Sequence, residues 1–353
     1  MGIDNQQITV TAFYVPMAKQ IFIVTLILFI SEAFSGVDFD PRMDVIINNI
    51  LNQQYAKAYA NIEKVLQSDP DNIDALFMRL NALQIEIIDY ESYVLNGYKF
   101  VKSVDSVLTF FDKFIHPPDT KVQAKSLFYR GTMYGMKALV LAKIGEWMQA
   151  LKYARNYIKF LKEAKDLDTT LYEVSYGIGL YNYYVGQNLK WIPFMGNRSR
   201  KGIKEIESVA YSNSPLRFMA IHSLSWIYIE RGEYIKVETV ASPVLAKYPS
   251  NTIYLGIKAR TSLLLKKYEE AILLGRKLIT ISQARNPVNW SDLLSGYQIM
   301  VASLDETERH DECLEVINEA LNLKVPESSK KIEYVQKHLD FITSKKEEIE
   351  KMR

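Results

Sequence analysis

The chain has 353 residues, of which 48% are hydrophobic and 24% are charged. This composition supports a substantial core and excludes the disordered and collagen-like classes. The 43 basic residues are nearly balanced by 41 acidic ones, so the whole chain lacks the basic excess of nucleic-acid-binding proteins, and we expect no nucleic acid among its partners. Glycine and proline number only 15 and 11, which favours helices over the many turns of an all-β fold.

The N-terminal segment predicts export. Residues 21–30, IFIVTLILFI, form a ten-residue uncharged run that follows Lys19 and precedes the small residues Ala33 and Ser35. This is the order of a signal peptide. We therefore predict a signal peptide over residues 1–35, with Met17 as an alternative start, on an exported protein of a bacterial periplasm or cell envelope. The alternative is an uncleaved membrane anchor through residues 21–30. A membrane span needs about 20 apolar residues, and this run is shorter.

A 34-residue spacing follows in the body of the chain. Tyr234 and Tyr268 are 34 residues apart, and each is followed three residues later by a small or β-branched residue, Val237 or Ala271. Such a residue lets two antiparallel helices approach closely, and Pro249 then ends the second helix. The spacing within the unit, with a small residue three positions after the first residue, recurs at Tyr55, Trp147 and His310, and these units lie at irregular distances from one another.

These units resemble tetratricopeptide repeats. The resemblance implies an all-α fold, a right-handed superhelical solenoid of antiparallel helix pairs, over residues 36–325. The turn position holds Gly145 and Gly232 in two units, but Gln53 and Lys266 in two others. Residues 76–130 and 165–215 do not fit the repeat consensus, so we expect irregular central repeats.

A capping helix is predicted over residues 326–353. Apolar residues recur there at helical spacing, which predicts one face packed on the last repeat. The residues of this stripe are Ile332, Val335, Leu339, Ile342 and Ile349. The charged residues between them, Lys345 and Lys346 among them, are expected to face water.

The segment 175–206 carries the candidate partner-binding residues. Four cations and two large aromatic residues lie within residues 191–204, a set that suits an anionic partner, and tyrosines on the preceding helix offer contact area. The candidates are Tyr181, Tyr184, Trp191, Phe194, Arg198, Arg200 and Lys201. The alternative is that the aromatic residues fill a gap between repeats and the cations are merely solvated. The segment also resembles the inclusion-body-clearance type of divergent tetratricopeptide proteins.

Motifs for catalysis and metal binding are missing from the sequence. It contains no GxxxxGK[ST], HExxH or GxSxG pattern, its four histidines are far apart, and Cys313 is its one cysteine. We therefore expect no catalytic residue, no cofactor and no metal, and Cys313 is predicted to be a buried packing thiol. Two functions remain: an envelope adaptor that binds a protein or peptide segment in the concave groove, or a carrier that binds a small anionic or lipidic ligand near residues 186–204.

Overall fold

The computed structural model describes residues 39–114, 119–188, 195–212, 214 and 216–352. In this part of the chain all regular secondary structure is helical, which confirms the all-α prediction. The predicted signal peptide lies outside the described residues. Besides a short 3-10 helix, Asp112–Phe114, the helices are α1 (Met43–Leu51), α2 (Tyr55–Ser68), α3 (Ile73–Asp89), α4 (Tyr93–Phe111), α5 (Thr120–Lys143), α6 (Trp147–Leu167), α7 (Val174–Asn188), α8 (Met195–Ala210), α9 (Arg217–Glu230), α10 (Tyr234–Lys247), α11 (Thr252–Leu264), α12 (Tyr268–Gln283), α13 (Trp290–Glu306), α14 (His310–Leu321), α15 (Glu327–Lys330) and α16 (Glu333–Met352).

The described chain divides into two compact units. The first comprises residues 39–88 and 95–226, and the second comprises residues 89–94 and 227–352. In the first unit α1 packs on α2, α5 on α6, and α7 on α8. In the second unit α11 packs on α12, α12 on α13, and α13 on α14. Helices that follow each other in sequence therefore pack as neighbours, as in an all-α helical repeat.

One turn geometry recurs in the predicted hairpins. The residue two positions before each second helix has a positive φ: Gln53 (57°), Gly145 (92°), Gly232 (71°), Lys266 (58°) and Glu308 (54°). The next residue donates its backbone N–H to the carbonyl five residues earlier, for example Glu233 to Tyr228 and Lys267 to Ser262, both at 2.8 Å. This bond and the left-handed residue close the end of the first helix. The second helices begin at the residues that define the repeat units, Tyr55, Trp147, Tyr234, Tyr268 and His310.

The structure adds a sixth hairpin within the stretch that does not fit the repeat consensus. Glu91 has the same left-handed conformation, with φ 49°, and α4 begins two residues later at Tyr93. The position three residues after Tyr93 holds exposed Asn96 instead of a small buried residue. Gly97, the next residue, packs against the C-terminal end of α5, where its Cβ would lie 2.9 Å from Ile144 Cγ2. Asn96 in place of the small buried residue hides the hairpin from the consensus.

The repeated turn predicts opposite effects for two substitutions. A Cβ at Gly232 would meet nothing within 4 Å, so Gly232→Ala should destabilise through backbone strain alone, by about 1 kcal/mol. Lys266 is exposed and holds the same conformation, so Lys266→Gly should stabilise by up to about 1 kcal/mol. Urea unfolding midpoints measure both. Shifts of the two midpoints in the same direction would contradict the shared turn geometry.

The C-terminal helix α16 packs on α13 and α14. Val335, Ile342 and Ile349 are buried in the same hydrophobic cluster as Cys313, which is a buried thiol as predicted. The expectation that Lys345 faces water is wrong. Its side chain is only 17% exposed, and Nζ lies 2.8 Å from both Asp305 Oδ2 and Glu348 Oε2. This ion pair to α13 fastens the last helix to the repeats.

Candidate partner-binding site

Five of the seven predicted site residues lie on two helices that pack against each other, α7 and α8. Tyr181 and Tyr184 are half-buried on α7, Arg198 is half-buried on α8, and Arg200 and Lys201 are exposed on α8. The segment that connects these helices contains Trp191 and Phe194, and both lie outside the described residues. The structure thus brings five of the seven candidates onto one helix pair.

Glycines allow α7 and α8 to touch backbone to backbone. A Cβ on Gly202 would lie 2.5 Å from both Gly179 O and Tyr183 N. A Cβ on Gly186 would lie 2.5 Å from Ser199 N. Since real Cβ atoms do not approach other atoms this closely, any larger residue at these positions would push the two helices apart.

Arg198 is held by neighbours on α7. Its Nε donates to Asn182 Oδ1 at 3.0 Å, and the guanidinium lies 5.1 Å from the centre of the Tyr181 ring. Asn182 in turn donates through Nδ2 to Glu205 Oε2 at 2.8 Å. The arginine therefore joins α8 to α7 and fixes Tyr181, so it positions the site and is only partly available to a partner.

The remaining cations of α8 form its outer face. Arg200, Lys201 and Lys204 are all exposed and follow the three- and four-residue spacing that places side chains on one side of a helix. Lys201 Nζ lies 3.8 Å from Glu205 Oε1, which is a weak surface pair. These three side chains can meet an anionic group without breaking a buried contact.

A second cationic surface lies on the α5–α6 hairpin of the same unit. Three aromatic rings stack there: Tyr153 on Tyr134 at 5.8 Å and Tyr134 on Phe160 at 5.5 Å between ring centres. Lys152 Nζ lies 5.9 Å from the centre of the Tyr153 ring, and Lys159 Nζ lies 5.6 Å from that of Phe160. The rings thus support two exposed cations at cation–π distance.

Two acidic residues, one on α4 and one on the short 3-10 helix that follows it, neutralise the inner side of this stack. Lys137 lies 4.0 Å from the centre of the Tyr153 ring and pairs with Asp105. Arg130 lies 5.3 Å from the centre of the Phe160 ring and pairs with Asp112 at 2.7 Å. Because Lys137 and Arg130 are 5% and 13% exposed, their charges are used inside the unit. Only the outer cations of α6 are available to a partner.

The second unit contains a buried polar cluster around Asp89. The Asp89 side chain is fully buried and accepts from Arg285 Nη2 at 2.6 Å and Nη1 at 2.9 Å. Asn289 donates through Nδ2 to the Asp89 backbone carbonyl at 2.9 Å and to Asp292 Oδ2 at 2.9 Å. The Tyr90 ring lies 4.5 Å from the Arg285 guanidinium. The cluster ties the 89–94 turn to the start of α13.

Asp292 predicts a pH dependence of stability. Burial, then the nearby charge of Asp89, raises the pKa of Asp292 from 3.8 to about 7, against the lowering effects of Thr252 and Arg285. Because the pKa of Asp292 is higher in the folded protein than in the unfolded chain, ionisation of its carboxyl lowers the free energy of unfolding. This loss of stability is absent below about pH 4 and complete above about pH 7. Glu91 also faces this carboxyl and raises its pKa.

Asp292→Asn should therefore gain thermal stability relative to the parent protein as pH rises from 5 to 8. The measurement is the difference between the two unfolding midpoints at each pH. A difference that does not change across this range would show that Asp292 does not titrate there.

Two further observations concern metal binding and the protonation of a buried histidine in the part of the chain that the structure describes. They contain no group of three or more His, Cys, Asp or Glu side chains arranged to hold a metal ion. His338 is buried beside Gln298, and burial lowers its pKa to about 3, so the imidazole is neutral at physiological pH.

None of the helices between residues 39 and 352 that the structure describes has the length and apolar character needed to cross a membrane. No protein-family model matches the chain, and no curated protein matches its sequence.

Proposed function

We propose that this protein is a non-catalytic scaffold of the tetratricopeptide type that binds a protein or peptide partner. The observation that carries the proposal is the recurrence of one turn, with the same left-handed residue and backbone hydrogen bond, in five helix hairpins. Arrays of such hairpins present long, continuous surfaces built from neighbouring helices, and these surfaces are suited to extended protein segments. The right-handed solenoid and its concave groove are part of the proposal.

The α7–α8 pair is proposed as one partner-binding surface. Arg200, Lys201 and Lys204 supply exposed positive charge, and half-buried Tyr181, fixed by Arg198, supplies aromatic contact area. An acidic segment would pair with the cations at the surface, where each pair contributes up to about 1 kcal/mol. Trp191 and Phe194 belong to the proposed site on the basis of the sequence.

We propose a scaffold instead of a small-ligand carrier, and the packing of α7 and α8 is consistent with this choice. A carrier that held its ligand between these two helices would need a cavity there. At Gly179, Gly186 and Gly202 the two backbones are so close that a single added methyl group would clash. A ligand would have no room between the two helices at these positions, whereas a partner on their outer side would need none.

The proposed location is the cell envelope, by export through residues 1–35. A scaffold in that compartment would assemble other envelope components without a cofactor.

Affinity capture of the tagged full chain from envelope extract tests the proposal. The first variant is the triple substitution Arg200→Ala, Lys201→Ala and Lys204→Ala, which leaves Arg198 and its contacts intact. The matched control removes three exposed lysines of the second unit, Lys277, Lys324 and Lys331. We expect a protein partner that is retained by the parent chain and by the control but reduced at least several-fold with the α8 variant.

Two results would count against the proposal. The absence of any stoichiometric protein partner at low and moderate salt would contradict the scaffold function. Equal retention of the partner by all three proteins would reject the α8 surface as its binding site.

A further inference from the structure

Positive charge is concentrated in one part of the chain. Residues 147–204 contain ten basic and four acidic residues, an excess of six, whereas the whole chain has an excess of two. Half of these basic residues lie on α6, at positions 152, 155, 159, 162 and 165, and all five are exposed. The first four follow a spacing of three, four and three residues, so they lie along one side of the helix.

Two apolar side chains continue this stripe toward the start of α6. Met148 is 81% exposed and Leu151 is 49% exposed. Neighbouring exposed apolar side chains of this kind can anchor a protein interface. The outer face of α6 is therefore a row of cations with an apolar end.

We infer that this outer face of α6 is the docking surface for an acidic protein segment that covers Met148 and Leu151 and places carboxylates along the lysine and arginine row. The inference rests on the proposed scaffold function and adds to it a surface and a class of partner. Its basis is charge complementarity together with the uncovered apolar end.

A membrane surface fits these observations less well. A helix that lies in a membrane interface inserts its apolar face between lipids. The apolar face of α6 is already buried within the hairpin it forms with α5: Ala154, Tyr157, Ile158 and Leu161 are all in the core. Only the two apolar residues at one end remain, and they are too few for stable insertion.

A nucleic acid also fits less well. Glu163 and Asp166 accompany the cations on the exposed side of α6, where they would repel phosphates. The neighbouring rings already have partners, because Tyr153 and Phe160 both stack on Tyr134 and cations lie near each of them. A base would have to displace these contacts to stack there. A protein segment can place a basic residue opposite each acidic one, which a phosphate backbone cannot.

The test measures binding of a fluorescein-labelled helical peptide to the purified full-length protein by anisotropy. The peptide carries glutamates at three- and four-residue spacing and two leucines at one end, and a second peptide replaces each glutamate by glutamine.

The protein variant that tests the cation row is the triple charge reversal Lys152→Glu, Arg155→Glu and Lys159→Glu. The control variant reverses the same number of charges at Lys277, Lys324 and Lys331. A second variant, Met148→Ser with Leu151→Ser, changes only exposed side chains and should not unfold the protein.

We expect the glutamate peptide to bind the parent and the control with similar affinity, and the α6 reversal to weaken binding at least tenfold. The serine variant should weaken it several-fold, and the glutamine peptide should not bind. Equal weakening by the α6 and control reversals, or no binding by the parent, would overturn the inference. Tighter binding of anionic vesicles or of single-stranded DNA than of the peptide would also overturn it.

Failure of this inference is distinguishable from failure of the scaffold proposal. If the parent chain and the α6 charge-reversal variant capture an envelope protein equally well, the scaffold function is supported and the α6 surface is rejected as a docking site. If the peptide binds as expected but no envelope protein is captured, the scaffold proposal fails and the α6 surface stands.

Discussion

Asp89→Ala is expected to destabilise the second unit by about 3–5 kcal/mol, because it leaves the Arg285 guanidinium in a buried site without its carboxylate. The Asp89 side chain is fully buried, Arg285 is 12% exposed, and their closest atoms are 2.6 Å apart. Asn289 would also lose an acceptor of its side-chain amide. Denaturant unfolding followed by circular dichroism gives the change in free energy.

The exposed pair of Arg276 and Glu319 provides a matched control for this prediction. It has the same 2.6 Å separation, but its two side chains are 45% and 46% exposed. Glu319→Ala should therefore cost less than about 1 kcal/mol. Equal losses of stability for the two variants would show that burial of Asp89 and Arg285 has no energetic consequence.

Gly202→Ala is expected to separate α7 from α8. Its Cβ would lie 2.5 Å from Gly179 O and from Tyr183 N, and neither backbone atom can turn aside as a side chain could. Overpacking of this kind costs about 1–3 kcal/mol and sometimes more. Local opening should appear as faster amide hydrogen exchange in residues 177–188 and 197–210, together with weaker retention of the partner.

Gly256→Ala is the control for a glycine without close neighbours. Gly256 also lies within a helix, but its Cβ would be 3.8 Å from Leu278 Cδ2, an ordinary contact. Alanine is the better helix former by about 1 kcal/mol, so this variant should be neutral or more stable. A stabilised Gly202→Ala variant would contradict the close packing of α7 and α8.

Local sequence spacing predicted the helix pairs well. The turn at Gly232 and the helix start at Tyr234 depend on residues within one hairpin, so the pattern is visible in sequence. The α3–α4 hairpin was missed because Asn96, exposed, stands three residues after Tyr93 where the other units have a small or β-branched residue. The left-handed conformation of Glu91 could not reveal the hairpin, because residues other than glycine also hold this turn position at Gln53, Lys266 and Glu308.

Long-range contacts could not be predicted. Asp89 and Arg285 are 196 positions apart, and no local pattern connects them. For the candidate site, the sequence indicated the cations of α8 but not that Arg198 is engaged by Asn182 and Tyr181. The cation row on α6 was not predicted, because only the burial of the opposite face of the helix shows that this row is the exposed side.

The proposed scaffold function requires that the protein bind another protein. Native mass spectrometry of the full chain, isolated from its cells under non-denaturing conditions, distinguishes a protein partner from a small ligand. We expect a complex whose added mass is that of a protein and which dissociates at high salt. A stoichiometric adduct with the mass of a small molecule, present without any protein partner, would reject the scaffold function.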